Sequence, residues 1–387
     1  MFIPYGKQNI NQADIDSVVK VLKSDWLTQG PSVELFEAAA KIQHSAGYCC
    51  AVNSATSALH IACLALGVGE GDWLWTSPNT FAASANCGLY CGARIDFVDI
   101  DPDTLNMCVQ KLKVKLEDAE KTGTLPKVVV PVHFGGLSCD MEAIHKLSIQ
   151  YGFNIIEDAS HAVGGSYSGH SVGSCTYSDI TVLSFHPVKI ITTGEGGMAL
   201  TNDPQLAEKM VLLRSHGITR DPAKMIGDSH GDWYYEQIDL GLNYRMTDIQ
   251  AALGASQYAR LDEFVAGRNR IAARYNEQLA DFPVSTQHGS PSTYSAYHLF
   301  VIKLTQENHV RDRKHIFRSM REAGIGVNVH YIPVHTHPYY KKLGFNYGDF
   351  PEAERYYESA LSIPMYPDLT DENQDYVLST LRRSLDI

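Results

Sequence analysis

Three sets of polar residues follow apolar stretches of this 387-residue chain. Lys189 comes after the apolar segment 180–185 and precedes a glycine-rich turn, residues 193–197 (TGEGG). Asp158 ends the apolar segment 154–158, and residues 53–57 (NSATS) lead from a strand-like segment into a helical one. Because open α/β sheets bind ligands beyond the carboxyl ends of their strands, we expect the three sets to meet at one sheet edge.

Each set alone has a plainer interpretation. A loop lysine is usually solvated, a strand-end aspartate is often exposed, and Ser54 and Thr56 are good helix caps. Together they match pyridoxal 5′-phosphate (PLP), which needs a lysine for a Schiff base, an acid beside its pyridine nitrogen and a phosphate site. A helix N-terminus with free N–H groups can supply that phosphate site. Lys189 would also move a proton as a general base.

The surrounding segments alternate between strand and helix. Strands are predicted at 48–53, 73–76, 95–100, 127–133 and 154–157, and helices at 9–23, 32–44, 58–66, 81–91, 140–151 and 205–215. We expect Ser32 to cap the helix 32–44. This alternation predicts an α/β fold with a mostly parallel central sheet and helices on both faces.

The pattern of predicted helices and strands changes after Thr247. A long helix is predicted from Thr247 to about Leu279, with strands near 298–304 and 327–331, a helix near 311–323 and a last helix after Asp371. The sequence therefore predicts two domains, a large PLP-binding domain at residues 1–250 and a small α+β domain at residues 251–387. Residues 219–233 are polar and irregular, and are the best candidate for a mobile lid or dimer-contact loop.

The net charge, the apolar runs and the spacing of motifs argue against several classes of function. The net charge is −12, which argues against non-specific binding of nucleic acid. No apolar run reaches membrane-spanning length and no apolar leader begins the chain, so we predict a cytoplasmic protein without a membrane partner. The histidines His330, His335 and His337 match no zinc spacing, and no metal site is predicted. No GxGxxG motif follows a strand, which argues against a nicotinamide enzyme.

The chain resembles the DegT/StrS-type family of PLP-dependent sugar aminotransferases, which have the type I aminotransferase fold. The resemblance spans nearly the whole chain and depends on a set of short motifs in order. These are residues 26–30 (WLTQG), 53–56 (NSAT), 157–161 (EDASH), 184–186 (SFH), 193–197 (TGEGG), 214–217 (RSHG), 243–247 (NYRMT) and 330–333 (HYIP). Each motif is weak alone, whereas the ordered set is specific.

The resemblance implies a role for each matching residue. Lys189 would hold PLP covalently, and Asp158 would pair with the pyridine nitrogen. The cofactor contacts it implies are Ser54, Ala55 and Thr56 at the phosphate with Ser184, His161 and Phe81 on the two ring faces, and Asn243 reaching the phosphate in the neighbouring subunit. The nucleotide-sugar contacts it implies are Tyr5, Trp26, Leu27, Thr28, Arg245, Val329, His330, Tyr331 and Ile332. Phe81 could equally be a core aromatic, and Arg245 could be a structural ion-pair residue between subunits.

The resemblance also implies a reaction. A homodimer with shared active sites would transfer an amino group from L-glutamate to a nucleotide sugar. Residues 186–192 (HPVKIIT) and 5–8 (YGKQ) look most like members that aminate C4 of a UDP-4-keto-6-deoxy-N-acetylhexosamine in pseudaminic acid biosynthesis. A different 4-keto or 3-keto nucleotide sugar is the alternative. Sugar dehydratases of this scaffold lack the lysine that Lys189 supplies, and a non-enzymatic regulator would need a partner-binding module that is not visible.

Overall fold

The computed structural model describes residues 2–305 and 313–387. Its helices are α1 (Gln12–Leu22), α2 (Pro31–His44), α3 (Ala55–Ala65), α4 (Ala83–Tyr90), α5 (Val109–Thr122), α6 (Met141–Tyr151), α7 (Pro204–Leu213), α8 (Asp248–Tyr258), α9 (Leu261–Gln278), α10 (Arg313–Glu322), α11 (Pro338–Lys341), α12 (Pro351–Ser359) and α13 (Asp371–Ser384). Its strands are β1 (Tyr48–Val52), β2 (Trp73–Thr76), β3 (Arg94–Phe97), β4 (Val128–Val130), β5 (Asn154–Asp158), β6 (Ser166–Tyr167), β7 (His170–Ser171), β8 (Ile180–Ser184), β9 (Gly197–Thr201), β10 (Ile218–Thr219), β11 (Glu236–Gln237), β12 (Val284–Thr286), β13 (Thr293–Tyr294), β14 (Phe300–Leu304) and β15 (Ala360–Ile363).

A seven-stranded sheet forms the centre of the first half, in the order β1-β9-β8-β5-β4-β2-β3. The pairs from β8 to β3 are parallel, and only β9 runs antiparallel to its neighbours β1 and β8. The prediction of a mostly parallel sheet is therefore confirmed. In the β5–β8 pair Asp158 lies opposite Val182, so the carboxyl ends of these two strands are adjacent.

Both faces of this sheet carry helices because its central strands are apolar on both sides. Val128 and Val130 of β4 pack into a core with α3 and α4, whereas Val129 packs into a second core with α5 and α6. A third core, under α2 and α8, lies behind β8 and β9. Strands buried on both faces read as continuous runs of valine and isoleucine, and residues 128–130 are such a run.

The C-terminal part has its own small sheet, in the order β12-β14-β15 with antiparallel pairing. A separate core joins this sheet to α9, α10 and α13. This arrangement has the α+β texture expected from the sequence. The expected boundary after residue 250 falls inside α8, so we propose that the two parts are joined through that helix.

Several predicted elements need correction. The N-cap of α2 is Gly30 and not Ser32, whose backbone N–H donates to Asp248 Oδ1 at 2.9 Å. The long helix after Thr247 is two helices, which break before Leu261 because Arg260 leaves the helical conformation and its guanidinium binds Asp14 and Asn9.

The prediction of a strand at residues 327–331 is also wrong. Only Asn328 makes a bridge there, to Ser362, because the His330 side chain binds Ser362 Oγ and the Tyr331 N–H turns to Asn79 Oδ1. The small sheet is instead completed by β15, which the sequence analysis missed. The helix predicted from Arg311 is described from Arg313 onward, and residues 311–312 lie outside the described part.

Across residues 2–305 and 313–387, no helix combines the length and apolar character needed to cross a membrane.

Candidate active site

Lys189 lies in a turn that is held rigidly beyond the end of β8. The Thr192 hydroxyl and the Thr193 N–H both donate to the Phe185 carbonyl at 3.0 Å, which closes the turn on itself. Ile190 and Ile191, directly after the lysine, are buried in the core under α2 and α8. This anchoring fixes the backbone, so the lysine side chain is presented from a rigid base.

The chemistry of the Lys189 amine is altered by its surroundings. Burial lowers its pKa from the ordinary value to about 8, and the nearby Asp158 carboxylate opposes part of that shift. Within the described residues the amine makes no hydrogen bond. An amine that is partly neutral near neutral pH can act as a nucleophile and as a general base.

Asp158 is the last residue of β5 and is 5% exposed. Its carboxylate is held from two sides: Ser84 Oγ donates to Oδ2 at 2.6 Å, and the Ser160 N–H donates to Oδ1 at 3.1 Å. A buried carboxylate requires such donors, and Lys189 supplies positive charge nearby. The acid and the lysine predicted from sequence therefore come together.

The turn before α3 forms a site for an anion. Ser54 is the N-cap of α3, and its Oγ accepts from the Ser57 N–H at 3.1 Å. In the described part of the chain, the backbone N–H groups of Ala55 and Thr56 and the Thr56 hydroxyl have no hydrogen-bond acceptor. Free N–H groups at a helix N-terminus, with the positive end of the helix dipole, attract a phosphate.

Gly197 fits this turn against the sheet. It pairs with Val52 of β1 on one side and with Ser184 of β8 on the other. A Cβ at Gly197 would lie 2.4 Å from Ala55 N and from Ser54 C and O, closer than real contacts permit. The absence of a side chain thus lets the Ser54–Ala55 backbone approach Ser184, whose hydroxyl completes the set of phosphate donors predicted from the sequence.

His161 has a defined tautomer. Its Nδ1 accepts from the Gly135 N–H at 3.3 Å, so the ring proton is on Nε2, which donates to Tyr331 Oη at 3.0 Å. Burial, with repulsion from Lys189 and His330, holds the pKa of His161 well below its usual value, and the ring is neutral. The His161 and Tyr331 rings are stacked, with centroids 6.0 Å apart.

Residues from the first few positions and from the C-terminal part of the chain approach the same site. The Tyr5 and His330 ring centroids are 5.5 Å apart, and His330 Nδ1 lies 2.8 Å from Ser362 Oγ. Burial and the charge of Lys189 lower the pKa of His330 to about 3, so this ring is neutral too. Phe81 is 63% exposed and lies 6.2 Å from Tyr331 between ring centroids, on the rim of the site.

The remaining predicted residues are less closely joined to this group. Arg245 forms a backbone bridge with Val52, beside the phosphate turn, and its guanidinium has no ion pair among the described residues. The Asn243 side chain is exposed. The exposed turn of Trp26, Leu27 and Thr28 is joined to the segment after Arg245 by the bridge between Thr28 and Thr247 and by the Asp248 N–H, which donates to the Leu27 carbonyl at 3.0 Å. Val329 packs partly against the small-sheet core, and Ile332 is 44% exposed.

The sequence analysis missed three residues of the site. Ser84, Gly197 in its packing role and His298, whose ring lies 4.4 Å from that of His161 between centroids, were not singled out. A serine inside the apolar run 82–85 (AASA) was the available signal for Ser84. Nothing in the spacing of His298 indicated its contact with His161, because 136 residues of the chain lie between them.

The residues present fit PLP. This cofactor requires three kinds of group, and all three are present. They are the half-buried amine of Lys189, the anchored carboxylate of Asp158, and the donors at Ala55, Thr56 and Ser184, which have no acceptor among the described residues. They lie at the carboxyl ends of β1, β5 and β8, which form one edge of the large sheet.

Comparison with known proteins agrees with this geometry. A model of the DegT/DnrJ/EryC1/StrS aminotransferase family matches residues 8–382. The spore coat polysaccharide biosynthesis protein SpsC of Bacillus subtilis is 40% identical over 98% of this chain and 96% of its own length. The UDP-4-amino-4,6-dideoxy-N-acetyl-beta-L-altrosamine transaminase of Campylobacter jejuni is also 40% identical, over 98% of this chain and 96% of its own.

Solved structures give the same result. PseC of Helicobacter pylori, an aminotransferase involved in pseudaminic acid biosynthesis, superposes with a TM-score of 0.90 at 29% identity and covers 100% of both chains. Matching structures include a sugar aminotransferase in its PLP form. The chain belongs to the DegT/DnrJ/EryC1/StrS aminotransferase family and is a PLP-dependent sugar aminotransferase.

Proposed function

We propose that this enzyme moves an amino group from L-glutamate to C4 of a UDP-4-keto-6-deoxy-N-acetylhexosamine, a step of pseudaminic acid biosynthesis. The observation that carries the amino transfer is the meeting of Lys189, Asp158 and the Ser54–Thr56 turn at one sheet edge. The choice of sugar is supported by the relative from C. jejuni and the structural neighbour from H. pylori, whose names state that chemistry.

Each residue has a defined task in the proposed reaction. When bound, PLP supplies an electron-accepting ring that makes the α-proton of an amino acid removable and carries the amino group between substrates. Lys189 Nζ would hold the cofactor and, once released, would act as the general base that takes the proton from the α-carbon of the amino donor and then as the acid that gives it back. Asp158 would pair with the pyridine nitrogen and keep it protonated, and the donors of Ser54, Ala55, Thr56 and Ser184 would bind the phosphate.

His161 and Phe81 would cover the two faces of the cofactor ring. Because His161 is neutral, it adds no charge beside Lys189, and burial alone remains the cause that lowers the pKa of the lysine amine and makes it available as a base. Its Nε2–H is used by Tyr331, so the Tyr331 hydroxyl proton is free to bind a substrate oxygen. His161 thereby ties the residue 329–332 segment, proposed to contact the sugar nucleotide, to the large sheet.

The nucleotide sugar is proposed to enter from the side of Arg245. A guanidinium has fixed charge and binds a diphosphate with two parallel hydrogen bonds, and Arg245 has no carboxylate partner among the described residues. Tyr5, the residue 26–28 turn and residues 329–332 would contact the remainder of the ligand. Exposed Asn243, two residues before Arg245, is proposed to reach the phosphate of a neighbouring subunit in a homodimer.

A second candidate is amination of a different 4-keto or 3-keto nucleotide sugar. The relative SpsC, named for spore coat polysaccharide biosynthesis, is as similar to this chain as the UDP-sugar transaminase. Both candidates use the same lysine, acid and phosphate turn, so only the sugar pocket distinguishes them.

A panel of keto sugars tests the substrate. The enzyme converted to its pyridoxamine form with L-glutamate is expected to regain its PLP absorbance with UDP-4-keto-6-deoxy-N-acetylhexosamines at least about tenfold faster than with dTDP-4-keto sugars, because a missing polar contact in a pocket costs an order of magnitude or more. Faster recovery with dTDP-sugars would favour the second candidate. No bleaching with L-glutamate would contradict the proposed amino donor.

The depressed pKa of Lys189 predicts a pH dependence. Attachment of PLP requires the neutral amine, and the lysine of the cofactor-free protein loses its proton around pH 8 instead of near its ordinary value. The initial rate of PLP attachment, followed by visible absorbance, is therefore expected to rise with pH, to be half-maximal near pH 8 and to be level above about pH 9. A rate that still climbs steeply above pH 9 contradicts the burial effect.

A further inference from the structure

Ser84 is a fully buried serine in the first turn of α4, among alanines and next to the core cysteine Cys87. Burying a hydroxyl is unfavourable unless it is hydrogen-bonded. Its Oγ lies 2.6 Å from Asp158 Oδ2, across 74 residues of sequence.

The direction of the hydrogen bonds follows from a count of protons. An ionised carboxylate only accepts, so the single hydroxyl proton of Ser84 goes to Asp158. Thr80 Oγ1 lies 2.8 Å from Ser84 Oγ and must then be the donor in that pair. The Phe81 carbonyl, at 3.4 Å from Ser84 Oγ, is a longer and weaker alternative acceptor. The three residues form a directed chain, Thr80 to Ser84 to Asp158.

The second anchor of the carboxylate comes from a different element. The Ser160 N–H donates to Oδ1 from the loop after β5, whereas Ser84 donates to Oδ2 from α4. One donor on each oxygen fixes the plane of the carboxylate and leaves a lone pair on each oxygen. Hydrogen bonds to a charged group are stronger than neutral ones, so this double anchor resists rotation.

Phe81 connects this series of hydrogen bonds to the rest of the site. It lies between Thr80 and Ser84 in sequence, and its ring reaches toward Tyr331 at the rim. The segment 80–84 therefore sets the orientation of the acid and the place of the aromatic ring together. The acid would contact the nitrogen of a cofactor ring, and the Phe81 ring would contact one face of it.

We propose that Ser84, oriented by Thr80, is a positioning residue that holds the Asp158 carboxylate in line with the pyridine nitrogen of PLP. This inference rests on the proposed contact between Asp158 and that nitrogen. Without the Ser84 donor the carboxylate keeps, among the described residues, a single donor, the Ser160 N–H, and can rotate away from the ring.

The first test compares holoenzymes. Ser84→Ala is expected to raise the dissociation constant for PLP about tenfold to a hundredfold, the range for losing a hydrogen bond to a charged group. The circular dichroism of the visible band, per bound cofactor, is expected to fall as the ring becomes less fixed. Ser77→Ala is the matched control, since Ser77 is 2% exposed and its Oγ has no partner in the described chain. That variant should bind PLP like the wild type.

The upstream residue provides an independent variant. Thr80→Val removes the donor that orients Ser84 and is expected to weaken PLP binding in the same direction but less, while Thr80→Ser should match the wild type. If Ser84→Ala protein does not fold, Thr80→Val decides the question. Wild-type affinity and circular dichroism in the folded variant would overturn the proposal.

A double-mutant cycle separates this proposal from the role of Asp158. If Ser84 acts through Asp158, then Ser84→Ala combined with Asp158→Asn should bind PLP no more weakly than Asp158→Asn alone. Additive losses would mean that Ser84 acts elsewhere, and would overturn the proposal. Wild-type PLP affinity in Asp158→Asn would instead remove the proposed role of Asp158 itself.

Discussion

Lys189→Ala protein is expected to lose steady-state amino transfer by about a thousandfold or more while still binding PLP. General acid–base catalysis by one side chain contributes roughly 10² to 10⁴ to the rate, and Lys189 is also the group that holds the cofactor covalently. Asp158 and the phosphate turn lie on other elements, so they keep their positions in the variant. The measurement is kcat with L-glutamate and the keto sugar, beside the stoichiometry of bound PLP.

A control lysine shows that the loss is specific. Lys342 is exposed, beyond α11, and Lys342→Ala should retain wild-type kcat and the visible absorbance of covalently held PLP. Lys189→Ala should bind PLP without that lysine-dependent absorbance. Near-normal turnover in Lys189→Ala would refute the role of this lysine and the assignment of the whole sheet edge.

The lysine and the acid could be found from the sequence because their positions depend on local pattern. Each follows a buried apolar strand, and parallel strands bring their carboxyl ends to one edge. The phosphate turn carries its own signal, small hydroxyl residues at the start of a helix. Predicting that these groups lie together requires only the order and direction of the strands, which the mostly parallel sheet provides.

The contacts that tune these groups could not be found in the same way. The tautomer of His161 depends on the Gly135 N–H and on Tyr331, which is 170 residues away in sequence. Residues 327–331 alternate like a strand, yet the His330 side chain binds Ser362, the Tyr331 backbone N–H donates to Asn79 Oδ1, and the backbone leaves the ladder. Tertiary hydrogen bonds override the local pattern there, and a single sequence does not contain that information.

A substitution at Gly197 tests the phosphate turn without removing any of its donor residues. A methyl group there would stand 2.4 Å from the Ser54–Ala55 backbone, and backbone cannot yield by rotating a side chain. The turn must therefore move away from Ser184 of β8, which pairs with Gly197. The geometry of the anion site would be lost although Ser54, Ala55, Thr56 and Ser184 are unchanged.

Gly197→Ala is accordingly expected to weaken PLP binding about tenfold to a hundredfold, which corresponds to the 1–3 kcal/mol typical of overpacking. Titration of the cofactor-free variant with PLP measures this loss, and its unfolding free energy in the absence of PLP is measured separately. Gly69→Ala is the control, because no atom lies within 4 Å of a Cβ at that position and its φ is not positive. A Gly197→Ala protein that is less stable yet binds PLP with wild-type affinity would mean that the phosphate lies away from the Ser54–Ala55 turn, since crowding that moves this backbone must also move the donors it carries.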